Sequence, residues 1–310
     1  MLIAITGGMG FIGRALVDLH IMNGDQIRIL SPVRPELSLH DSITLYLGDL
    51  VTSVDVLDRF VDGADILYHC AAEILDEDKM YPVNVTGTRN LCKAASGRIG
   101  HWVQLSSVGV YGRQVSGVVT EETELNPKGM YEVTKAESDS IVTSVSREDA
   151  FSCSILRPSN VYGTDMRNQS LFQMVAVIEK GLFFFIGQPG ASANYIHVDN
   201  VAEALMLCGC SQASRGGVFN ISDRLALEAF VAVIADELGR RTPTLRLPER
   251  PVRWVTRALD PTKRFPLTES RIDAMTTRSI YSIDKIRDEL AYDHRVTIED
   301  GIRQLVRKWK

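Results

Sequence analysis

The chain opens on a short unbroken apolar run, Leu2 to Ile5, and glycines follow. Ile12, Leu16, Leu19 and His20 then recur at three- and four-residue intervals until Asn23-Gly24 ends the series. A continuous short run suits a strand buried on both faces, and the wider spacing suits a helix with one apolar stripe. A second run, Ile27 to Leu30, starts after Asp25 and stops at Ser31-Pro32, so residues 2 to 30 predict one strand–helix–strand unit. The alternation continues: Ile43–Leu47, Asp65–Cys70 and His101–Leu105 predict strands, and Ser53–Val61 and Val85–Ala95 predict helices, with Gly, Asp or Ser at the boundaries. A helix is predicted over Met130–Val145, a strand over Phe151–Leu156, and a last strand and helix at Tyr195–Ile196 and Asn200–Leu207. Strands alternating with helices imply an α/β fold with a doubly wound parallel sheet.

From about residue 221 the pattern becomes mainly helical, punctuated by Pro243, Pro248, Pro251, Pro261 and Pro266. That change predicts a smaller lobe lying over the carboxyl ends of the strands. Residues 1–163, with 193–220 returning to them, make up the sheet domain, and 164–192 with 221–310 make up the smaller, mainly helical lobe. A length of 310 residues suits two such units, and 45% hydrophobic with 24% charged residues is an ordinary globular balance.

Charge and cysteine content narrow the partners. Thirty-four Lys and Arg against 39 Asp and Glu leave a net charge of −5, so no basic field draws a polyanion and nucleic acid is not expected as a partner. Cys70, Cys92, Cys153, Cys208 and Cys210 are odd in number and scattered, without CxxC pairs or His-rich ligand spacing, which reads as a reduced, cytoplasmic and metal-free protein. The longest aromatic-aliphatic run, Leu182–Ile186, is far shorter than the roughly 20 residues that cross a bilayer, so no membrane partner is expected.

The segment Thr6-Gly7-Gly8-Met9-Gly10-Phe11-Ile12-Gly13 places glycines at 7, 10 and 13 between a predicted strand and a predicted helix. Glycine allows positive φ in a tight turn and lets backbone N–H groups approach a pyrophosphate at the positive end of the helix, so a dinucleotide is expected here on a Rossmann-type sheet. At the end of the second strand an NAD site usually offers an acid to the ribose hydroxyls, whereas this chain reads Leu30-Ser31-Pro32-Val33-Arg34. Ser31 and the forked guanidinium of Arg34 suit the 2′-phosphate of NADP, with NAD as the alternative cofactor.

Tyr131 and Lys135 stand four apart on a predicted helix, hence on one face, and Ser106-Ser107 ends the preceding strand. A lysine ammonium beside a phenol lowers the phenol's pKa, and a serine hydroxyl can hold the substrate oxygen through which the proton moves.

These segments together resemble the extended short-chain dehydrogenase/reductases of the NAD(P)-dependent epimerase/dehydratase group. The resemblance rests on TGGMGFIG at 6–13, Gly48-Asp49-Leu50, His69-Cys70-Ala71-Ala72, Asn84-Val85-Thr86-Gly87-Thr88, Ser106-Ser107-Val108-Gly109-Val110-Tyr111-Gly112, YEVTK at 131–135, Arg157-Pro158-Ser159-Asn160-Val161-Tyr162-Gly163 and Tyr195-Ile196-His197-Val198-Asp199-Asn200-Val201. It implies Tyr131 as acid and base, Lys135 as its activator and a ribose ligand, and Ser107 as the hydroxyl that positions substrate. It also implies Gly7, Gly10, Phe11, Ile12 and Gly13 at the pyrophosphate and Asp49 at the adenine. Ala71 and its neighbour Ala72 would lie along the nicotinamide-side loop, Leu50 and Pro158 would add cofactor contacts, and Asn160 would lie at the substrate. His69 and His197 are expected to satisfy core hydrogen bonds rather than catalyse.

Members of this group epimerise, reduce, dehydrate or decarboxylate nucleotide-linked sugars, and a neighbouring branch reduces ketones or oxidises hydroxyls of flavonoids and steroids. The sugar dehydratases follow the hydroxyl residue with Asp-Glu; here Val108-Gly109 follows Ser107, which disfavours dehydration. Nucleotide-sugar members usually carry an Arg four residues before the His of the YIHVDN segment, where this chain has Ala193, leaving Arg157, Arg271 and Arg278 as candidates to answer a substrate diphosphate. The expected function is hydride-transfer chemistry on a small-molecule substrate, a nucleotide-activated sugar, by 4-epimerisation or keto-sugar reduction. The alternative is NADPH-dependent reduction of a non-nucleotide ketone or aldehyde, in the manner of dihydroflavonol reductases or 3β-hydroxysteroid dehydrogenases. A third reading, a sensor that binds dinucleotide without turnover, leaves the intact Ser107, Tyr131 and Lys135 without purpose. By the same resemblance, a homodimer is expected through the helices at 85–95 and 130–145.

Overall fold

The structure, a computed structural model, describes residues 1–36, 38–148, 150–166, 169–259 and 267–310; Pro261 and Pro266 lie outside the described residues. Strand β1 (Leu2–Thr6) leads into helix α1 (Phe11–Met22), and β2 (Gln26–Ser31) and β3 (Ile43–Leu47) follow on one side of it. Helix α2 (Val54–Val61) carries the chain back to β4 (Ile66–His69) on the other side of β1. A short α3 (Glu77–Met80) widens through a π-helical turn at Tyr81–Thr86 into α4 (Gly87–Ala95), and β5 (His101–Leu105) comes next. After the 3-10 turn Val108–Tyr111 come β6 (Ser116–Val119), α5 (Met130–Arg147) and β7 (Ser152–Pro158).

The second half contains β8 (Asn160–Tyr162), α6 (Ser170–Glu179), β9 (Phe185–Ile186), β10 (Ser192–His197), α7 (Val198–Cys210), β11 (Val218–Ile221) and β12 (Asp223–Ala226). It closes with α8 (Leu227–Glu237), β13 (Arg246–Leu247), α9 (Glu249–Leu259), α10 (Glu269–Thr276), β14 (Arg278–Tyr281), α11 (Asp284–Leu290) and α12 (Ile298–Trp309).

Seven strands form one parallel sheet in the order β11-β7-β5-β4-β1-β2-β3, with Ile3 opposite Ile27 on one side and Ile66 on the other. Alternate residues of β1 feed two cores. Ile3 and Ile5 pack with Leu16, Val201 and Leu205 of α1 and α7, and Ala4 packs with Leu57, Leu91 and Val142 of α2, α4 and α5. A sheet covered on both faces in this way accounts for apolar runs without alternation. The chain reverses its direction of winding between β1 and β4, and this switch point opens a crevice at the carboxyl ends of the strands.

Two features depart from the sequence pattern. Strand β10, which includes the predicted strand at Tyr195–Ile196, does not join the large sheet but pairs with β8 and β12 in a three-stranded sheet, and its buried polar residues Ser192 and Asn194 hide its earlier start. The seventh strand of the large sheet is β11, four residues long after Gly216-Gly217, too brief to register as an apolar run. The region after residue 221 also contributes the short strands β12, β13 and β14, the last pairing with β6. A separate core among α6, α8, α12 and the three-stranded sheet, with Phe230, Ile302 and Leu305 at its centre, supports the smaller lobe.

Candidate active site

The glycine turn is built by close approach. Gly7 has φ +70°, and a Cβ there would stand 2.7 Å from the Ala71 nitrogen. A Cβ on Gly13 would overlap the Gly7 carbonyl oxygen, and the Gly10 N–H donates to that same oxygen at 2.8 Å. Gly10 caps α1 without a side chain, so the first N–H groups of the helix, those of Phe11 and Ile12 among them, remain for an anion at the positive helix end. The Phe11 ring itself packs towards Gly163 and the smaller lobe. A cradle that any Cβ would fill, at the switch point of the sheet, fits the pyrophosphate of a dinucleotide.

The remaining cofactor-side residues line the same sheet edge, in differing states. Ser31 is buried and closes its own turn, donating to the Val33 carbonyl at 2.7 Å, while Arg34 stands exposed just beyond with no partner among the described residues. Asp49 spends its carboxylate on the turn before α2: Oδ1 accepts from the Val51 and Thr52 N–H groups at 2.7 and 2.8 Å, and Oδ2 accepts from the Thr52 hydroxyl. Those bonds, the Thr52 hydroxyl first, hold its pKa below the usual carboxylate value. Leu50 is buried against Gly87, and Pro158 is buried at the end of β7. Ala71 donates its N–H to the Thr6 hydroxyl at 3.2 Å, and Ala72 follows it on the loop after β4.

His69 explains how that loop is held. Its Nδ1 lies 2.7 Å from Thr6 Oγ1 and its Nε2 2.9 Å from Thr88 Oγ1, while the Thr88 hydroxyl donates to the Asn84 carbonyl. Because that hydroxyl is already a donor to Asn84, it accepts from His69 Nε2–H, and His69 Nδ1 in turn accepts from the Thr6 hydroxyl. The arrangement admits only a neutral imidazole, and burial first, with Lys135 second, pulls the His69 pKa down to about 3.

Ser107, Tyr131 and Lys135 come from the end of β5 and the first turns of α5. Ser107 Oγ accepts from the Gly109 N–H at 3.1 Å, which leaves its own proton to donate. Lys135 is buried and donates to the Leu105 carbonyl at 2.6 Å. One turn further, Asp139 accepts from the Ser106 hydroxyl at 2.7 Å and pairs with Arg157 at 3.3 Å. Arg157 also donates to Tyr111 Oη at 3.0 Å, and Tyr111 donates to Asn220. Burial lowers the Lys135 pKa and the Asp139 charge works against that shift. Against the expectation that Lys135 lowers the Tyr131 pKa, burial first, then the Asp139 carboxylate, pushes Tyr131 up to about 12. Sequence reasoning gave Ser106 no role and missed Asp139 and the Asp139–Arg157 pair. The signal was there, since Tyr131, Lys135 and Asp139 follow one helical stripe at four-residue steps.

Ser107 and Tyr131 open onto a cavity of about 500 Å³ between the sheet edge and the smaller lobe, and Asn160 lines it as well. The cations on its wall are Arg113 and Lys128. The three arginines considered for a substrate diphosphate do not line it. Arg157 is buried in the network behind α5, Arg278 donates to the Gln188, Pro189 and Thr276 carbonyls, and Arg271 donates to Gln173. Among the described residues no group of His, Cys, Asp or Glu side chains converges as a metal site, and no helix is long and apolar enough to cross a membrane.

Over residues 3–222 the sequence matches the model of the NAD dependent epimerase/dehydratase family. The chain is 24% identical to a 3 beta-hydroxysteroid dehydrogenase/Delta 5→4-isomerase from Mycobacterium tuberculosis, over 97% of this chain and 88% of that protein. It is equally, 24%, identical to a UDP-glucose 4-epimerase from Vibrio cholerae, over 97% of this chain and 93% of that protein. The crystal structure of UDP-glucuronic acid 4-epimerase from Bacillus cereus in complex with NAD matches with a TM-score of 0.77 at 19% identity, covering 100% of this chain and 98% of that one, a likeness of fold.

Proposed function

The chain belongs to the NAD dependent epimerase/dehydratase family, and from that premise we propose that it interconverts a hydroxyl and a keto group on a nucleotide-activated sugar, by 4-epimerisation or keto-sugar reduction. The hydrogen-bonding and charged groups on the cavity wall carry this reading: Ser107, Gln114, Tyr131, Asn160 and Thr277 line it together with the cations Arg113 and Lys128. A volume of about 500 Å³ is also in the range of ligand sites.

In the reductive direction the Tyr131 phenol gives its proton to the substrate oxygen, and the Ser107 hydroxyl holds that oxygen in line. Lys135, fixed by the Leu105 carbonyl and faced by Asp139, follows Tyr131 by four residues on the same helix. The dinucleotide, when bound in the glycine cradle, supplies or accepts the hydride. Arg34, exposed beyond Ser31, supports NADP over NAD.

A second reading, oxidoreduction of a non-nucleotide ketone or alcohol, is favoured by Ala193 in the cavity wall and by the likeness to a mycobacterial 3 beta-hydroxysteroid dehydrogenase. Incubating the protein with NADP or NAD and UDP-, dTDP- or GDP-sugars, with product analysis by NMR, separates the two. Epimer or reduced sugar that disappears in Tyr131→Phe supports the first reading. Turnover of simple ketones with none of any nucleotide-sugar supports the second.

A further inference from the structure

The two cations that line the cavity differ in their ties. Lys128 is exposed and its ammonium pairs with no acid among the described residues. Arg113 Nη2 lies 2.6 Å from Asp273 Oδ1, across the mouth from the sheet domain to α10. That pair is easily exchanged. Arg113 is 55% exposed and Asp273 27%, and exposed ion pairs contribute little to stability. Asp273 Oδ1, closed off from solvent, also has Arg253 Nη2 at 2.7 Å, so losing Arg113 leaves that oxygen paired.

The backbone beneath Arg113 is firm. Gly112 has φ +68°, a Cβ there would overlap the Asn126 carbonyl oxygen, and its N–H donates to Gly109 at 2.8 Å. Arg113 therefore projects from a fixed turn that begins at Ser107, the hydroxyl expected at the reacting carbon.

We infer that Arg113 is the diphosphate-binding residue of the substrate site, held by Asp273 until substrate phosphate displaces that carboxylate, with Lys128 as a second cationic contact. This rests on the nucleotide-sugar reading and supplies the charge that Ala193 and the buried Arg157 do not. A guanidinium meets phosphate oxygens in a forked geometry that no other group on this wall offers.

The test is calorimetric titration of the cofactor-saturated protein with UDP and with uridine, repeated with the dTDP/thymidine and GDP/guanosine pairs. One diphosphate is expected to bind at least tenfold more tightly than its nucleoside. Arg113→Gln should remove most of that preference while leaving nucleoside affinity unchanged, and Asp273→Asn, which frees Arg113, should tighten diphosphate binding severalfold. Diphosphate preference that survives Arg113→Gln and ignores Asp273→Asn overturns the role of Arg113 and leaves the sugar reading standing. No preference for any diphosphate over its nucleoside overturns both.

Discussion

Tyr131 enters the reaction in the protonation state its surroundings impose. With its pKa pushed up to about 12 by burial, the phenol is protonated through the neutral range. Reduction consumes a proton from that group, so its rate should be nearly flat from about pH 6 to pH 9, whereas oxidation needs the phenolate and should rise with pH, approaching tenfold per unit. Stopped-flow rates in the two directions across that range check the sign; an oxidative rate that falls with pH removes Tyr131 as the base. Tyr131→Phe should cut turnover by about 10²–10⁴ while cofactor affinity stays within about twofold, since the ring still packs. Arg34→Ala should weaken NADP(H) about tenfold and NAD(H) hardly at all; equal losses would make Arg34 an ordinary surface charge. Ser107, Tyr131 and Lys135 could be singled out because residue type and spacing suggest their chemistry, and Tyr131→Phe tests that role. The state of Tyr131 was not legible, since it depends on burial and on Asp139, and Arg113 was not, since its partner Asp273 lies 160 positions away in sequence.

Between elements, His69 ties β1, β4 and α4 through hydroxyls that accept only the neutral ring. Its pKa of about 3 in the folded protein lies below the ordinary value of 6.5, so between those limits the unfolded chain binds more protons. The stability it contributes is complete above about pH 6.5 and is lost as pH falls towards 3, at up to about 1.4 kcal/mol per unit. Urea unfolding at pH 7, 6 and 5 should show this slope, and His69→Asn should flatten it at the cost of lower stability at pH 7. An unchanged slope in the variant would place the acid sensitivity elsewhere, with buried His101, whose pKa burial lowers to about 4, as the next group to replace. The strands and helices that carry these contacts were legible through His101–Leu105 because each is a distinct apolar run with a glycine, aspartate or serine at its ends. The second sheet that β10 joins and the strand β11 were obscure for physical reasons: β10 pairs with β8 and β12 through buried polar residues, and β11 is short and owes its place to pairing with β7.

At the scale of the whole molecule, the helix that carries Tyr131 and Lys135 on its inner face presents Val133 outward, 40% exposed, with Met130 at 45% beside it. The adjoining segment before α4 adds Leu75 at 78% exposed and Tyr81 at 46%, and α4 packs directly against α5. Exposed large apolar side chains near one another, such as Met130 and Val133 on α5 and Tyr81 bonded to Glu137 of the same helix, suit an association surface. The homodimer expected from the family resemblance, paired through α4 and α5, would cover that face and bring each Val133 near its twofold counterpart. Sedimentation at micromolar concentration should then give a species of twice 34.4 kDa, and Val133→Asp should return it to 34.4 kDa. Because Val133 and the catalytic residues share α5, the dissociated variant should also lose thermal stability in that helix and, with it, part of its turnover, while the diphosphate preference set by Arg113 stays intact. A wild-type protein that sediments as a single 34.4 kDa species removes the pairing and leaves the apolar face to another partner.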